Sequence, residues 1–163
     1  MNKNPNSQYK IRFTDCDMLG HLNNARYIDY LINAREDHLK THYNLDLMEY
    51  YMKGVAWVIR SHEIIYSRPA MYNEMVEISS SLRYVDNELL HLETVMQNEK
   101  RDHVKAIMWS RLVPVNSMTG RKIQHDAAFL NLVQGLVSNG AAMKGSLQDR
   151  IDQLQVEHNR KDA

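Results

Sequence analysis

From about Asn24 to Lys40 the sequence runs at helical period, with apolar residues covering most of the helix circumference. Arg26, Asp29, Asn33, Glu36, Asp37 and Lys40 step by threes and fours into one polar stripe. Ala25, Tyr27, Ile28, Tyr30, Leu31, Ile32 and Ala34 occupy the remaining arc. A helix that is apolar over so wide an arc predicts burial on most sides, so other elements must wrap it. Asn23 and Asn24 are the N-cap candidates.

The wrapping material reads at strand period. Tyr9-Lys-Ile-Arg-Phe13 alternates and predicts a short strand before the helix. After an ambiguous, Tyr-rich stretch from His42 to Met52, the pattern predicts four consecutive strands. These are Val55 to Tyr66, Met75 to Val85 with Val76, Ile78, Leu82 and Tyr84 on one face, Leu89 to Gln97, and His103 to Val113. Arg68-Pro69, Asp86-Asn87, the polar loop Asn98 to Asp102, and Pro114 punctuate them. Asp126 is positioned to cap a helix with apolar positions Phe129, Leu132, Val133, Leu136 and Val137. Leu147, Ile151 and Leu154 repeat at helical spacing in the tail, which packs on its own domain, on a partner chain, or on neither. The expected fold is α+β: an antiparallel meander wrapped around one long central helix, the hot-dog architecture, with a C-terminal helical tail. The expected division is a single domain over residues 1–140 and an amphipathic tail over 141–163. Such a sheet leaves an edge or face uncovered, so a homodimer or a dimer of dimers is expected.

At 163 residues the chain suits one core of this kind. Twenty basic residues balance twenty acidic ones, so no chain-wide field draws it to nucleic acid or an anionic membrane. No stretch reaches the ~18 apolar residues of a membrane span. The polar start, Met1 to Gln8, has no apolar core of a signal peptide, and the single cysteine, Cys16, fits a reducing cytoplasm.

The chemistry concentrates between the first strand and the helix, in Asp15-Cys-Asp17 and Gly20-His-Leu-Asn-Asn24. A carboxylate just before a helix N-terminus faces unpaired backbone N–H groups and the positive end of the dipole. The same N–H groups suit the oxyanion that develops on a carbonyl under attack. A base or nucleophile beside oxyanion donors is the minimum for acyl transfer, and Gly20 allows close backbone approach.

The run Arg12-Phe-Thr-Asp-Cys-Asp-Met-Leu-Gly-His-Leu-Asn-Asn-Ala-Arg-Tyr-Ile-Asp-Tyr30 resembles the signature of the 4-hydroxybenzoyl-coenzyme A thioesterase-like hot-dog family. Ile64-Ile-Tyr-Ser-Arg-Pro69 and Asn73-Glu74 also resemble family positions. The resemblance implies an acyl-coenzyme A thioesterase with Asp17 as catalytic carboxylate and the amide at about Asn24 on the thioester carbonyl. It implies Gly20, His21, Asn23 and Tyr27 around the substrate, at a dimer interface. The His21, Asn23 and Asn24 fingerprint is similar to the fatty-acyl branch rather than the aromatic-acyl one. Asp17 then acts as general base on water or attacks the thioester to form an anhydride. No metal or organic cofactor is expected. Acyl carrier protein is an alternative carrier, and a non-catalytic acyl-binding module is the alternative of another class.

Competing readings of single residues are plainer. Asp15 is expected to hold the loop or Arg12. Cys16 lies between two carboxylates that disfavour a thiolate, so a small loop residue is expected. His38 and His42 have metal-ligand spacing but no third ligand in sequence. The Tyr43 to Tyr51 cluster and Trp57 fit an acyl pocket, a core or a dimer contact equally. Arg60, Arg83, Arg111, Arg121 and Lys122 are candidates for coenzyme A phosphates or solvated strand ends.

Overall fold

The computed structural model describes residues 2–138 and 145–159. Strand β1 (Asn6–Lys10) leads through a 3-10 turn (Phe13–Asp15) to the long helix α1 (Asn24–Tyr43) and a short helix α2 (Leu47–Met52). Strands β2 (Val55–Tyr66), β3 (Met75–Val85), β4 (Leu90–Asn98) and β5 (Val104–Asn116) follow, then helices α3 (Ala127–Gln134) and α4 (Leu147–Asn159). The strands form one antiparallel sheet in the order β1-β3-β4-β5-β2, curled around α1 in the hot-dog arrangement.

The expected meander of four is therefore corrected. β3, β4 and β5 are hairpin neighbours, but β2 pairs with β5 at the far edge, from Val55 opposite Asn116 to Tyr66 opposite Ala106. Segment 67–74 carries the chain back across the site loop, where Ala70 O accepts Leu22 N–H and Tyr72 N–H donates to Gly20 O. Alternation records which face a strand buries, not which strand lies beside it.

Other boundaries shift for local reasons. The first strand is Asn6–Lys10 rather than Tyr9 to Phe13, because the chain turns at Phe13. β5 runs through Pro114, which was expected to end it. Pro114 O accepts Ile123 N–H, so the missing proline donor faces away from β2 and breaks no ladder bond. In β3 a bulge between Leu82 and Tyr84 turns Tyr84 outward, where its hydroxyl donates to Asp86.

In the single chain α1 is buried along one face, through Tyr27, Leu31, Ala34 and His38, and not on most sides. The predicted polar stripe faces solvent, while Ile28, Ile32 and Arg35 are half-buried flanks. Asn23 caps the helix through its side chain, and Asn44 ends it in the left-handed region at φ 52°. Two clusters fill the space between helices and sheet, one around Leu31, Ile78, Met96 and Met108, the other around Leu82, Leu92, Phe129 and Val133.

The outer face of the sheet is covered too. Leu147 and Ile151 of α4 pack on Val95, Ile107 and Trp109, so the tail helix rests on its own sheet. Buried Glu93 accepts Trp109 Nε1–H at 2.9 Å and the Arg150 guanidinium at 3.2 Å, clamping α4 to β4 and β5. The expected boundary between residues 140 and 141 lies outside the described residues.

Candidate active site

A tight hairpin builds the loop before α1. Asp17 N–H donates to His21 O at 2.8 Å, Asn23 N–H donates to Asp15 O at 2.9 Å, and Cys16 and Leu22 bridge between them. Gly20 at φ +73° makes the return possible, in the region that favours glycine. Met71 bridges His21 and Tyr72 N–H holds Gly20 O, so the crossing segment pins the outer strand of the hairpin.

Asp17 is exposed in the single chain, and its Oδ1 accepts the N–H groups of Leu19 at 2.9 Å and His21 at 3.2 Å. Among the described residues Oδ2 has no hydrogen-bond partner, so one oxygen is held and the other is available.

The cap defines the helix start. Asn23 Oδ1 accepts Ala25 N–H at 3.0 Å and Asn23 O accepts Arg26 N–H at 2.8 Å. Asn24 N–H donates to nothing among the described residues, leaving one amide at the positive end of α1. Tyr66 hydroxyl donates to Asn24 O at 3.0 Å and fixes that peptide from β2. Sequence reasoning did not single out Tyr66; its signal is a tyrosine closing a strand just before Arg68-Pro69.

Of the predicted site residues, Asp17, Gly20, His21, Asn23 and Asn24 come together in this hairpin and cap. His21 is half-buried, and its ring makes no hydrogen bond among the described residues. Tyr27 instead points into the core: it is 2% exposed, its hydroxyl accepts Ala70 N–H at 2.9 Å, and its ring meets Tyr66 edge-on. Asp15 accepts the Tyr30 hydroxyl at 2.8 Å and lies 3.9 Å from Arg26 Nε, so its side chain pairs with Tyr30 and Arg26 rather than Arg12. Cys16 Sγ–H donates to Arg12 O, and burial followed by the Asp15 and Asp17 charges holds its thiol above the usual range.

His38 is fully buried between Ser80 Oγ at 2.7 Å and Ser7 Oγ at 3.1 Å, so both ring nitrogens are engaged, and it faces the His42 ring without any third ligand. Among the described residues no metal-holding group of His, Cys, Asp or Glu occurs. Arg83 is a half-buried strand residue whose Nη1 donates to Ser138, and Lys122 pairs with Glu88 at 2.8 Å; Arg60, Arg111 and Arg121 are exposed. No helix of the described residues is long and apolar enough to cross a membrane.

Beneath α1 lies a cavity of about 450 Å³, walled by Leu31, Tyr50, Trp57, Leu112 and Phe129 and bordered by Ala56 and Ile59 of β2. Tyr50, Tyr51 and Trp57 of the aromatic group line it, whereas Tyr43 stacks beneath Arg35.

The chain is similar to known proteins along most of its length. It is 25% identical over 148 residues to the long-chain acyl-CoA thioesterase FadM of Escherichia coli strain K12, covering 91% of this chain and 97% of that protein. The crystal structure of YbaW from Escherichia coli, described as a "probable thioesterase", superposes with TM-score 0.71 at 26% identity, covering 82% of this chain and 98% of that one. The DHNA-CoA thioesterase of Staphylococcus aureus shares the fold at TM-score 0.73 and 14% identity, covering 94% of each chain. The profile of the thioesterase-like superfamily matches residues 11–134. The chain belongs to the thioesterase-like superfamily, as a thioester hydrolase on the hot-dog fold.

Proposed function

We propose that this protein hydrolyses long-chain acyl-coenzyme A to the free acid and coenzyme A, with Asp17 as general base and the Asn24 amide as oxyanion donor. The observation that carries it is the free Asn24 N–H beside a loop that holds one oxygen of Asp17 and leaves the other free. Asp17 takes a proton from water, and the water oxygen adds to the thioester carbonyl carbon. The oxyanion develops on Asn24 N–H, and its collapse breaks the C–S bond and releases the thiolate, which takes up the proton. His21 and Gly20 border the reacting carbonyl, and Asn23 keeps Ala25 N–H from competing for it. Direct attack by Asp17 is the second route, and single-turnover hydrolysis in oxygen-18 water separates the two by labelling of Asp17. The name of the FadM relative and the apolar cavity support a long acyl chain.

The working unit is a homodimer joined along β2. This edge strand of 12 residues leaves one side unpaired and exposes Val58, Ile59 and Tyr66. Antiparallel pairing of two such edges sets the Tyr66 end of one, which holds Asn24, beside the Ala56–Ile59 end of the other, which borders the cavity. Each site then combines the Asp17 loop of one copy with the cavity of its partner, in the cytoplasm that the lone cysteine suits. Thiol release from acyl-coenzyme A of graded length, together with sedimentation analysis, tests this. Turnover by a dimer is expected; a fully active monomer would contradict the composite site.

A further inference from the structure

One cation in the cavity wall has no anion. Arg35 of α1 lines the cavity, yet it forms no ion pair among the described residues. Its Nη1 reaches Ser80 Oγ at 3.4 Å, its guanidinium carbon lies 5.9 Å from the Tyr43 ring centre, and its Nε is buried with no partner. Two carboxylates, Glu36 and Asp46, line the same cavity, but neither forms an ion pair with Arg35. Glu36 is exposed, Asp46 caps α2 and pairs with Lys40 at 3.7 Å, and Asp37 accepts the Tyr9 hydroxyl. Buried arginines are ordinarily paired, because an uncompensated charge away from water is costly. Burial lowers the Arg35 pKa, but a guanidinium starts so high that it stays charged.

The opposite wall is polar along a diagonal. On the inner face of the sheet Ser80 stands opposite Thr94, while Ser110 stands opposite Leu92 and His62. Thr94, Ser110 and His62 line the cavity, and His62 Nδ1 meets Ser110 Oγ at 2.8 Å. Thr94 is 2% exposed and its side chain borders this cavity. A pocket for plain hydrocarbon gains nothing from these groups and bears the cost of drying them.

We infer that the cavity selects acyl groups carrying a second carboxylate remote from the thioester, with Arg35 as the specificity-determining residue. The guanidinium fork fits a carboxylate bidentately, and the Thr94 hydroxyl supplies a further donor. This rests on the thioesterase reading above and names the substrate class for its site. A pocket built to bind such a group discriminates strongly against analogues lacking it, since its own polar groups are then left unpaired.

The experiment compares length-matched n-alkanoyl and ω-carboxyalkanoyl coenzyme A thioesters with wild type, Arg35→Lys and Arg35→Met. Wild type is expected to favour the ω-carboxy substrate about tenfold or more in kcat/KM, chiefly through KM. Arg35→Met should reverse the preference, and Arg35→Lys should retain part of it. Unsubstituted chains preferred by wild type at every length, or a ratio unmoved in Arg35→Met, overturns the inference. Calorimetric titration with an alkanoic acid and its methyl ester reads the pocket without hydrolysis. Tighter binding of the acid, lost in Arg35→Met, upholds the pocket even where no thioester is cleaved, an outcome that would instead remove the thioesterase reading. Equal binding of acid and ester overturns the pocket while leaving thioesterase activity untouched.

Discussion

His38 makes the stability of this fold depend on mildly acidic pH. Its ring is fully buried between the Ser80 and Ser7 hydroxyls, and its pKa is pushed down to about 4 from 6.5. Burial is the main cause, followed by the positive neighbours His42 and Arg35, with Asp37 partly opposing. Because the folded-state value lies below the unfolded one, the unfolded chain binds the proton first as pH falls. Stability is therefore complete above the unfolded pKa and is lost between roughly pH 6.5 and 4. With those two values the loss from neutral pH to pH 5 is about 2 kcal/mol. His62 and His91 shift the same way through burial and steepen the dependence. The assay is urea unfolding at pH 7.5 and pH 5 for wild type and His38→Gln, which keeps hydrogen-bonding capacity but does not titrate. The difference between the two proteins in their pH dependence isolates His38, because the other histidines are common to both. A difference of about 2 kcal/mol is expected. Parallel pH dependence in the two proteins would refute the claim that His38 is buried neutral.

Further outcomes follow from the cap and the tail clamp. Asn23→Ala removes the acceptor for Ala25 N–H, at a stability cost of about 1 kcal/mol, or roughly 2–4 °C in Tm. It should also lower kcat, because a second orphan amide then competes for the carbonyl; unchanged Tm in a thermal scan would contradict the cap. Arg150→Ala leaves Glu93 buried with Trp109 Nε1–H and only a distant Arg83, at 3.8 Å, and should cost about 3 kcal/mol. Urea midpoints within error of wild type would show that α4 is not clamped there.

The hairpin and cap of the candidate site were legible in sequence because their determinants are local. Turn, glycine, cap and carboxylate all fall between Asp15 and Asn24, and backbone chemistry over such a span needs little tertiary context. The resemblance placed Tyr27 around the substrate, whereas in the single chain its side chain is buried and its hydroxyl accepts Ala70 N–H of segment 67–74, a contact that helical periodicity does not encode. The partner of β2 was illegible for the same reason, since pairing with β5 closes a long loop that alternation does not encode. Arg35 gave no signal: it stands between the buried Ala34 and the exposed Glu36, and only the fold shows that its side chain turns inward with Nε unpartnered and no anion among the described residues.

In the proposed mechanism Asp17 drives thioester cleavage beside the Asn24 amide. Thiol release from a long-chain acyl-coenzyme A, measured for wild type and Asp17→Asn at matched protein concentration, tests it most directly. In Asp17→Asn, kcat should fall at least about a hundredfold while KM changes little, as expected for loss of a general base. Full turnover by Asp17→Asn would contradict it.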